Sequence, residues 1–353
     1  MIHRKHRVRA VVALALVAGV SAACSSSSSG GGTGGAGNSS SAAGGGGSSS
    51  AASGSGGSGG TTGGKQFVVG YSQSNNAEPY RAQLNLQLQY FIKKYPDLKL
   101  LPIADAKQQS STQVSQVQQF IQQHVNVLIV SPNEPDPLTP PIEQACKAKI
   151  PVIILDRSVN TNCYSSFIGG DNLLAGKNAG ELAAKLLPNG GNVVELQGIL
   201  SDQPQIDRDK GFREGIASNP KIKIIEHREA KWLKEDGTQA MSQWLQKDKI
   251  DLVYAQNDPM ALGAELAAAA VHKEKQIKFI GTDGLAIPDG GIRAVQQGVL
   301  SGTFIYPTCA PQAAAEALAN GKPVTKKQTL GITAVTPQNA AALYKQYDFS
   351  NKH

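Results

Sequence analysis

Between residues 65 and 353, short aliphatic and β-branched runs alternate with stretches of helical pattern, and that alternation leaves few folds open. Strands are expected at 67–71, 99–103, 127–130, 152–155, 167–168, 192–196, 223–225, 252–254, 278–280 and 303–305. Helical pattern lies between them, for example at 80–95, 112–124, 174–187 and 260–272. A chain that alternates in this way builds parallel sheet with helices on both faces, an α/β architecture. The strand runs are apolar at successive positions, as strands covered on both faces must be. Pro140-Pro141 reads as the first turn of a helix, where a missing N–H costs little.

Each of several runs ends in polar residues. The 152–155 run continues into Asp156-Arg157, and the others end in Ser72-Gln73, Asp105, Asn257-Asp258 and Asp283. Ligands of open α/β sheets bind at the carboxyl edge of the strands. A single such Asp or Asn could equally cap the next helix. Five polar ends on one edge are better explained by a shared site.

The chemistry of that site is bounded by exclusions. No GxGxxG follows the first strand, and Gly176-Lys177 lacks both the first glycine and the Ser/Thr of a phosphate-binding loop. From residue 65 onward no GxSxG nucleophile turn is present, and the six histidines of the chain form no metal-ligand spacing, so no metal or cofactor is expected. Asp156, Asp258 and Asp283 could be paired as glycosidase carboxylates, but Arg157 next to Asp156 favours its ionised form, the wrong direction for a general acid. Ionised carboxylates that accept hydroxyls, beside a guanidinium fork of donors, fit a ligand clamp instead.

The amino-terminal part is of another kind. Residues 1–23 carry Arg4, Lys5, Arg7 and Arg9, an apolar run shorter than the ~20 residues that span a bilayer, then Ser21-Ala22-Ala23 before Cys24. This is the pattern of an export signal. Its end resembles the lipobox of bacterial lipoproteins, which implies lipidation of Cys24 and a lipid anchor. Residues 24–64 hold, after Cys24, only Ser, Gly, Thr, Ala and one Asn, a composition that buries no core and acts as a tether with a reach of roughly 35 Å. Four of the positive charges lie in residues 1–23, leaving 30 Lys+Arg against 27 Asp+Glu. No basic cluster with interleaved aromatics is present, so nucleic acid is not an expected partner. Cys146 and Cys163 could form a disulfide around the Asp156 strand end, and free buried thiols fit the residues as well.

The residues from 65 onward resemble the periplasmic sugar-binding proteins of ABC importers, of the ribose-binding type and nearest the galactofuranose-binding branch. The resemblance rests on Val69-Gly-Tyr-Ser-Gln73, Leu155-Asp-Arg-Ser158, Gly170-Asp-Asn172, Val193-Val-Glu-Leu-Gln-Gly198, Ile206-Asp-Arg-Asp-Lys-Gly-Phe212, Tyr254-Ala-Gln-Asn-Asp-Pro-Met-Ala-Leu-Gly263 and Gly281-Thr-Asp-Gly284, in that order. It implies two doubly wound parallel-sheet lobes joined by a three-segment hinge, the type I periplasmic binding protein fold. Lobe one would be 65–170 with a return at 305–330, and lobe two 171–304 with 331–353. It also implies a monomer that performs no catalysis and closes on a monosaccharide for delivery to an ABC permease, or, in a sensing role, for a receptor. Ligand contacts carried over by position are Arg81, Asp105, Asp156 and Arg157 from lobe one, and Arg208, Asn257 and Asp283 from lobe two. Tyr80 and Trp232 match the aromatic positions, although either would also serve as an ordinary core residue. Where the family carries Gln or Glu on the last crossover strand, this chain reads Thr303-Phe-Ile-Tyr-Pro307, which leaves the sugar itself open.

Overall fold

The computed structural model describes residues 66–351; the expected signal, the tether and Cys24 lie outside them. The first series of elements is β1 (Phe67–Gln73), α1 (Pro79–Ile92), β2 (Leu98–Leu100), β3 (Ala104–Asp105), α2 (Ser110–Gln122), β4 (Val127–Ser131), α3 (Pro135–Lys147), β5 (Val152–Leu155) and β6 (Ser166–Gly170). A second series follows: α4 (Asn172–Leu186), β7 (Gly191–Gln197), α5 (Gln203–Ile216), β8 (Ile222–Glu229), α6 (Lys234–Trp244), β9 (Leu252–Ala255), α7 (Asp258–Ala269), β10 (Lys278–Ile280), α8 (Gly291–Gln296) and β11 (Thr303–Ile305). Then come α9 (Ala310–Ala319), β12 (Lys327–Leu330), β13 (Thr333–Val335) and α10 (Ala340–Tyr347).

These elements build two parallel sheets. One has the order β12-β6-β5-β4-β1-β2 with β3 also on β1; the other runs β10-β9-β7-β8. β11 lies beside β10 through the Ile280–Gly302 bridge and pairs antiparallel with β13. We call the halves centred on the two sheets lobe one and lobe two. The chain passes between them after β6, after β11, and between β12 and β13.

The strands are apolar at successive positions because each faces helices on both sides. In β4, Val127 and Ile129 join the cluster that holds Leu84, Leu88 and Ala313, while Leu128 and Val130 join that of Leu138 and Ile142. Close approach is set by glycine. A Cβ on Gly70 of β1 would stand 2.8 Å from the Phe120 ring of α2. In lobe two, Gly176 and Gly180 of α4 meet Gly211 and Gly215 of α5, and a Cβ on Gly211 would stand 2.2 Å from the Leu173 carbonyl oxygen. Those two helices are in near backbone contact.

Some expectations need correction. Pro140 and Pro141 lie inside α3, whose first turn is formed at Pro135 after the extended Glu134. The helix tolerates two missing N–H groups there, and Thr139 Oγ1 donates to the Pro135 carbonyl at 2.8 Å. Of the expected 99–103 strand only the start forms, as part of β2, and residues 101–103 lead on to β3 without strand structure. β12 and β13 carry no apolar run and were not expected. Cys146 and Cys163 are joined as a disulfide, with Cα atoms 5.9 Å apart, while Cys309 is a free, buried thiol.

Candidate functional site

Where the lobes face each other, a cavity with about 270 Å³ of non-atom space lies at the carboxyl edges of both sheets. Tyr80, Arg81, Asp156 and Arg157 line it from lobe one; Arg208, Trp232, Asn257 and Asp283 line it from lobe two. Glu78, Pro204 and Tyr306 complete the wall. Asp105 stands apart from it: its carboxylate accepts from the backbone N–H of Lys107 at 2.8 Å, and its carbonyl from Gln116. Ser72, Gln73 and Asp258 also belong to the framework. Asp258 accepts from Thr303 Oγ1 at 2.5 Å and the Gly284 N–H at 2.8 Å, which ties the end of β9 to β11.

Asp156 and Arg157 do not serve mainly as partners of each other. Their closest ion-pair approach is 4.0 Å, whereas Arg81 Nη2 reaches Asp156 Oδ2 at 2.6 Å. Arg81 is fixed in turn by Ser131 Oγ at 2.5 Å. The Arg157 guanidinium donates to the Asn133 carbonyl at 3.0 Å and lies 3.4 Å from Glu78, while its Nε reaches across to Asp202 Oδ2 at 3.1 Å. Among the described residues this is the one ion pair between the lobes. Asp202 precedes α5 in the N-cap position but makes no side-chain capping bond. Its Oδ2 also accepts from Trp232 Nε1 at 3.1 Å, and burial pushes the carboxyl up to about 6 despite the neighbouring Arg157.

The lobe-two wall is positioned similarly. Asn257 caps α7 by accepting from the Met260 N–H at 3.0 Å, and its amide donates to the Trp232 carbonyl at 3.0 Å. The capping role and the cavity role therefore coexist. Arg208 is held by Asn172 Oδ1 at 2.9 Å and the Gln256 carbonyl at 2.5 Å, with its guanidinium 4.7 Å from the Tyr306 ring centre and 5.4 Å from that of Trp232. Asp283 is buried, and among the described residues no donor reaches its carboxylate. Burial, then the nearby Asp258 charge, pushes its carboxyl well above the ordinary range, with Arg208 opposing. Asp156, Trp232 and Asp283 all have positive φ, at 66°, 70° and 128°. Such backbone costs of order 1–3 kcal/mol per residue and concentrates at ligand sites.

All three aromatic residues turn their polar atoms away. The Tyr80 hydroxyl donates to the Pro307 carbonyl at 2.8 Å, Trp232 Nε1 is spent on Asp202, and the Tyr306 hydroxyl accepts from the Gly170 N–H at 3.0 Å and from Asn172. Aromatic carbon faces the cavity opposite charged donors and acceptors. A small polyhydroxylated ring or chain has that division, with apolar C–H faces and hydroxyls at its edge. Of the residues missed in the sequence, Tyr306 could be sought only through its place on the crossover strand. Glu78 and Asp202 carry no sequence signal that separates them from helix-start acids.

The model of the periplasmic binding protein domain matches residues 69–319. The chain belongs to the periplasmic binding protein family. Its two parallel-sheet lobes are the type I form of that fold. Among curated proteins it is similar to the xylitol-binding protein of Mycolicibacterium smegmatis, 32% identical over 65% of this chain and 66% of that protein. It is also similar to the galactofuranose-binding protein of Escherichia coli, 34% identical over 63% of this chain and 71% of that protein. The matched stretch thus spans about two thirds of each of these relatives. Among solved structures, the fructose-binding periplasmic domain of a hybrid two-component system superposes with a TM-score of 0.76 at 33% identity, covering 80% of this chain and 94% of that one. A Mycobacterium smegmatis protein in complex with β-D-fucofuranose gives 0.74 at 30% identity, covering 80% and 95%.

Proposed function

We propose that the protein is an extracytoplasmic solute-binding lipoprotein of an ABC importer, which captures a monosaccharide between its lobes by hinge closure. The observation that carries this reading is the cavity itself. Its walls set Asp283, Asn257, Asp156 and three arginines against the carbon faces of Tyr80, Trp232 and Tyr306. The relatives named for xylitol, galactofuranose and fructose support a polyhydroxylated ligand of five or six carbons. Lobe one is taken as 65–170 with 305–330, lobe two as 171–304 with 331–353, and Arg81, Asp156, Arg157, Arg208, Asn257 and Asp283 as ligand contacts. Asp105 is assigned no contact, because its carboxylate is engaged locally.

Closure is a population shift, driven by ligand contacts that only the closed form completes. A thermal-shift screen of the full chain against pentoses, hexoses and pentitols tests the reading. A ligand that binds the native state alone raises the melting temperature, and no shift with any member overturns it. Anchoring at Cys24 is tested separately. Cys24→Ser is expected to release the protein from the membrane fraction with sugar affinity unchanged. A wild-type protein found soluble, with Ser25 or a later residue as its first, argues against lipidation.

The similarity to a periplasmic domain of a two-component system favours a second reading, a receptor subunit that reports sugar occupancy to a membrane sensor. Sugar uptake by cells lacking the protein separates the two. Transport predicts lost uptake, and sensing predicts retained uptake with a lost response.

A further inference from the structure

We propose that the sugar carries an apolar aglycone, seated in a second chamber that adjoins the sugar cavity at Glu78, Trp232 and Asp283. The inference rests on the sugar reading above and specifies its ligand as a glycoside.

The chamber is wider than the sugar cavity, with about 1390 Å³ of non-atom space that includes open solvent at its mouth. Glu78, Trp232 and Asp283 line both spaces, one residue from lobe one and two from lobe two, so the two adjoin at the lobe interface. Beyond them the walls change character. Pro79, Leu233, Pro259, Leu262, Leu266 and Leu285 line the chamber, while Lys234, Glu235 and Asp289 are exposed at its margin. Leu262 and Leu266 lie one turn apart on α7, and Leu266 is 52% exposed although α7 is otherwise a small-residue helix packed on β9 and α6. Residues i and i+4 share a helix face. That face therefore presents two leucines to a space whose inner end holds sugar-type hydrogen-bonding groups.

The lining is mixed: Lys234, Glu235, Glu265, Asp289 and Gln297 bring polar groups, and Pro259, Leu262, Leu266 and Leu285 form a carbon strip beside them. An aryl or alkyl group joined through a glycosidic oxygen matches both parts: hydroxyls among Asp283, Arg208 and Asn257, apolar carbon against Pro259, Leu262 and Leu266. Burying the equivalent of two methylene groups there is enough for about a tenfold gain in affinity.

The test is calorimetric titration of the full chain with D-galactose, D-xylose, L-arabinose and D-ribose, each free and as its phenyl glycoside, together with lactose. The expected result is at least one sugar whose phenyl glycoside binds about tenfold tighter or more. Leu266→Glu, at an exposed position outside the sugar cavity, should remove that advantage and leave the affinity of the free sugar unchanged. The inference is overturned if free sugars bind but their phenyl glycosides bind no tighter. It is also overturned if Leu266→Glu preserves the advantage, or if lactose alone shows the gain. If none of the probes binds, the glycoside inference is overturned, whereas the sugar reading falls only if the wider thermal-shift screen also shows no shift.

Discussion

Asp156 and Arg157 are neighbours in sequence with different structural duties, and substitution should separate them. The Arg81–Asp156 pair lies within lobe one, buried at 2.6 Å, so it persists whether the lobes are open or closed. Asp156→Ala would leave the buried Arg81 with only the more distant Glu78, 3.8 Å from its Nε, and breaking such a buried pair costs up to about 3–5 kcal/mol of folding stability. Arg157 reaches Asp202 only across the lobe interface. Arg157→Ala also loses the Asn133 hydrogen bond and the Glu78 contact inside lobe one, so it should cost some stability but less than Asp156→Ala, and act chiefly on capture, weakening sugar affinity about 10- to 150-fold if one or two charged hydrogen bonds are lost. Denaturant melts and calorimetric titrations of both variants check this; equal stability losses would contradict the assignment. The pair was legible in the sequence as a candidate clamp, but its partners were not. Arg81 lies 75 residues from Asp156 in the chain, and Glu78 and Asp202 lie 79 and 45 residues from Arg157. Tyr306 was visible only as a departure from the family's Gln or Glu, without a hint that its hydroxyl would turn to Gly170.

At the scale of elements, the helix pair α4–α5 makes the sharpest statement. Gly176, Gly180, Gly211 and Gly215 allow backbone to meet backbone, and this contact carries Arg208 and Asn172 to the cavity edge. Gly211→Ala would put a methyl group 2.2 Å from the Leu173 carbonyl, with backbone rather than a yielding side chain in its way. Overpacking of this kind costs about 1–3 kcal/mol. A lowered denaturation midpoint, accompanied by weaker sugar binding through a displaced Arg208, is the expected outcome; a variant as stable as the wild type would show that the helices can separate freely. Strands with two buried faces were readable because every position is apolar, as in Val127–Ser131 before its last residue. β12 was not, since Lys327-Gln-Thr-Leu330 is a half-exposed edge strand whose pairing with β6 supplies what its side chains do not.

For the whole molecule, the two parallel-sheet lobes followed from alternation and from the family words, whereas the division of buried charge did not, because burial is a property of the assembled lobes. That division has a consequence for pH. Burial pushes Asp202 and Asp258 up to about 6, and Glu195 up to about 8 with help from the Asp209 charge. Each is thus raised above the value it takes in an unfolded chain, so the native state holds protons that the unfolded state has released. Stability rises with pH only where the unfolded state binds more protons, and here the opposite holds. The contribution of these groups is fully present below their ordinary carboxylate values, is lost as pH rises through about 6 for the two aspartates, and is lost through about 8 for Glu195. Asp209 does not offset this: burial raises it, but hydrogen bonds from Arg213 and Glu195 hold it below its ordinary value, so its own transition lies at more acid pH. Denaturant unfolding of the ligand-free protein should accordingly show its midpoint falling between pH 5.5 and pH 8.5. Glu195→Gln, within lobe two, should flatten the upper part of that fall, since the amide carries no proton to lose. A midpoint that climbs with pH across this interval would mean that the ion pair with Arg213 outweighs the cost of burying the Glu195 charge.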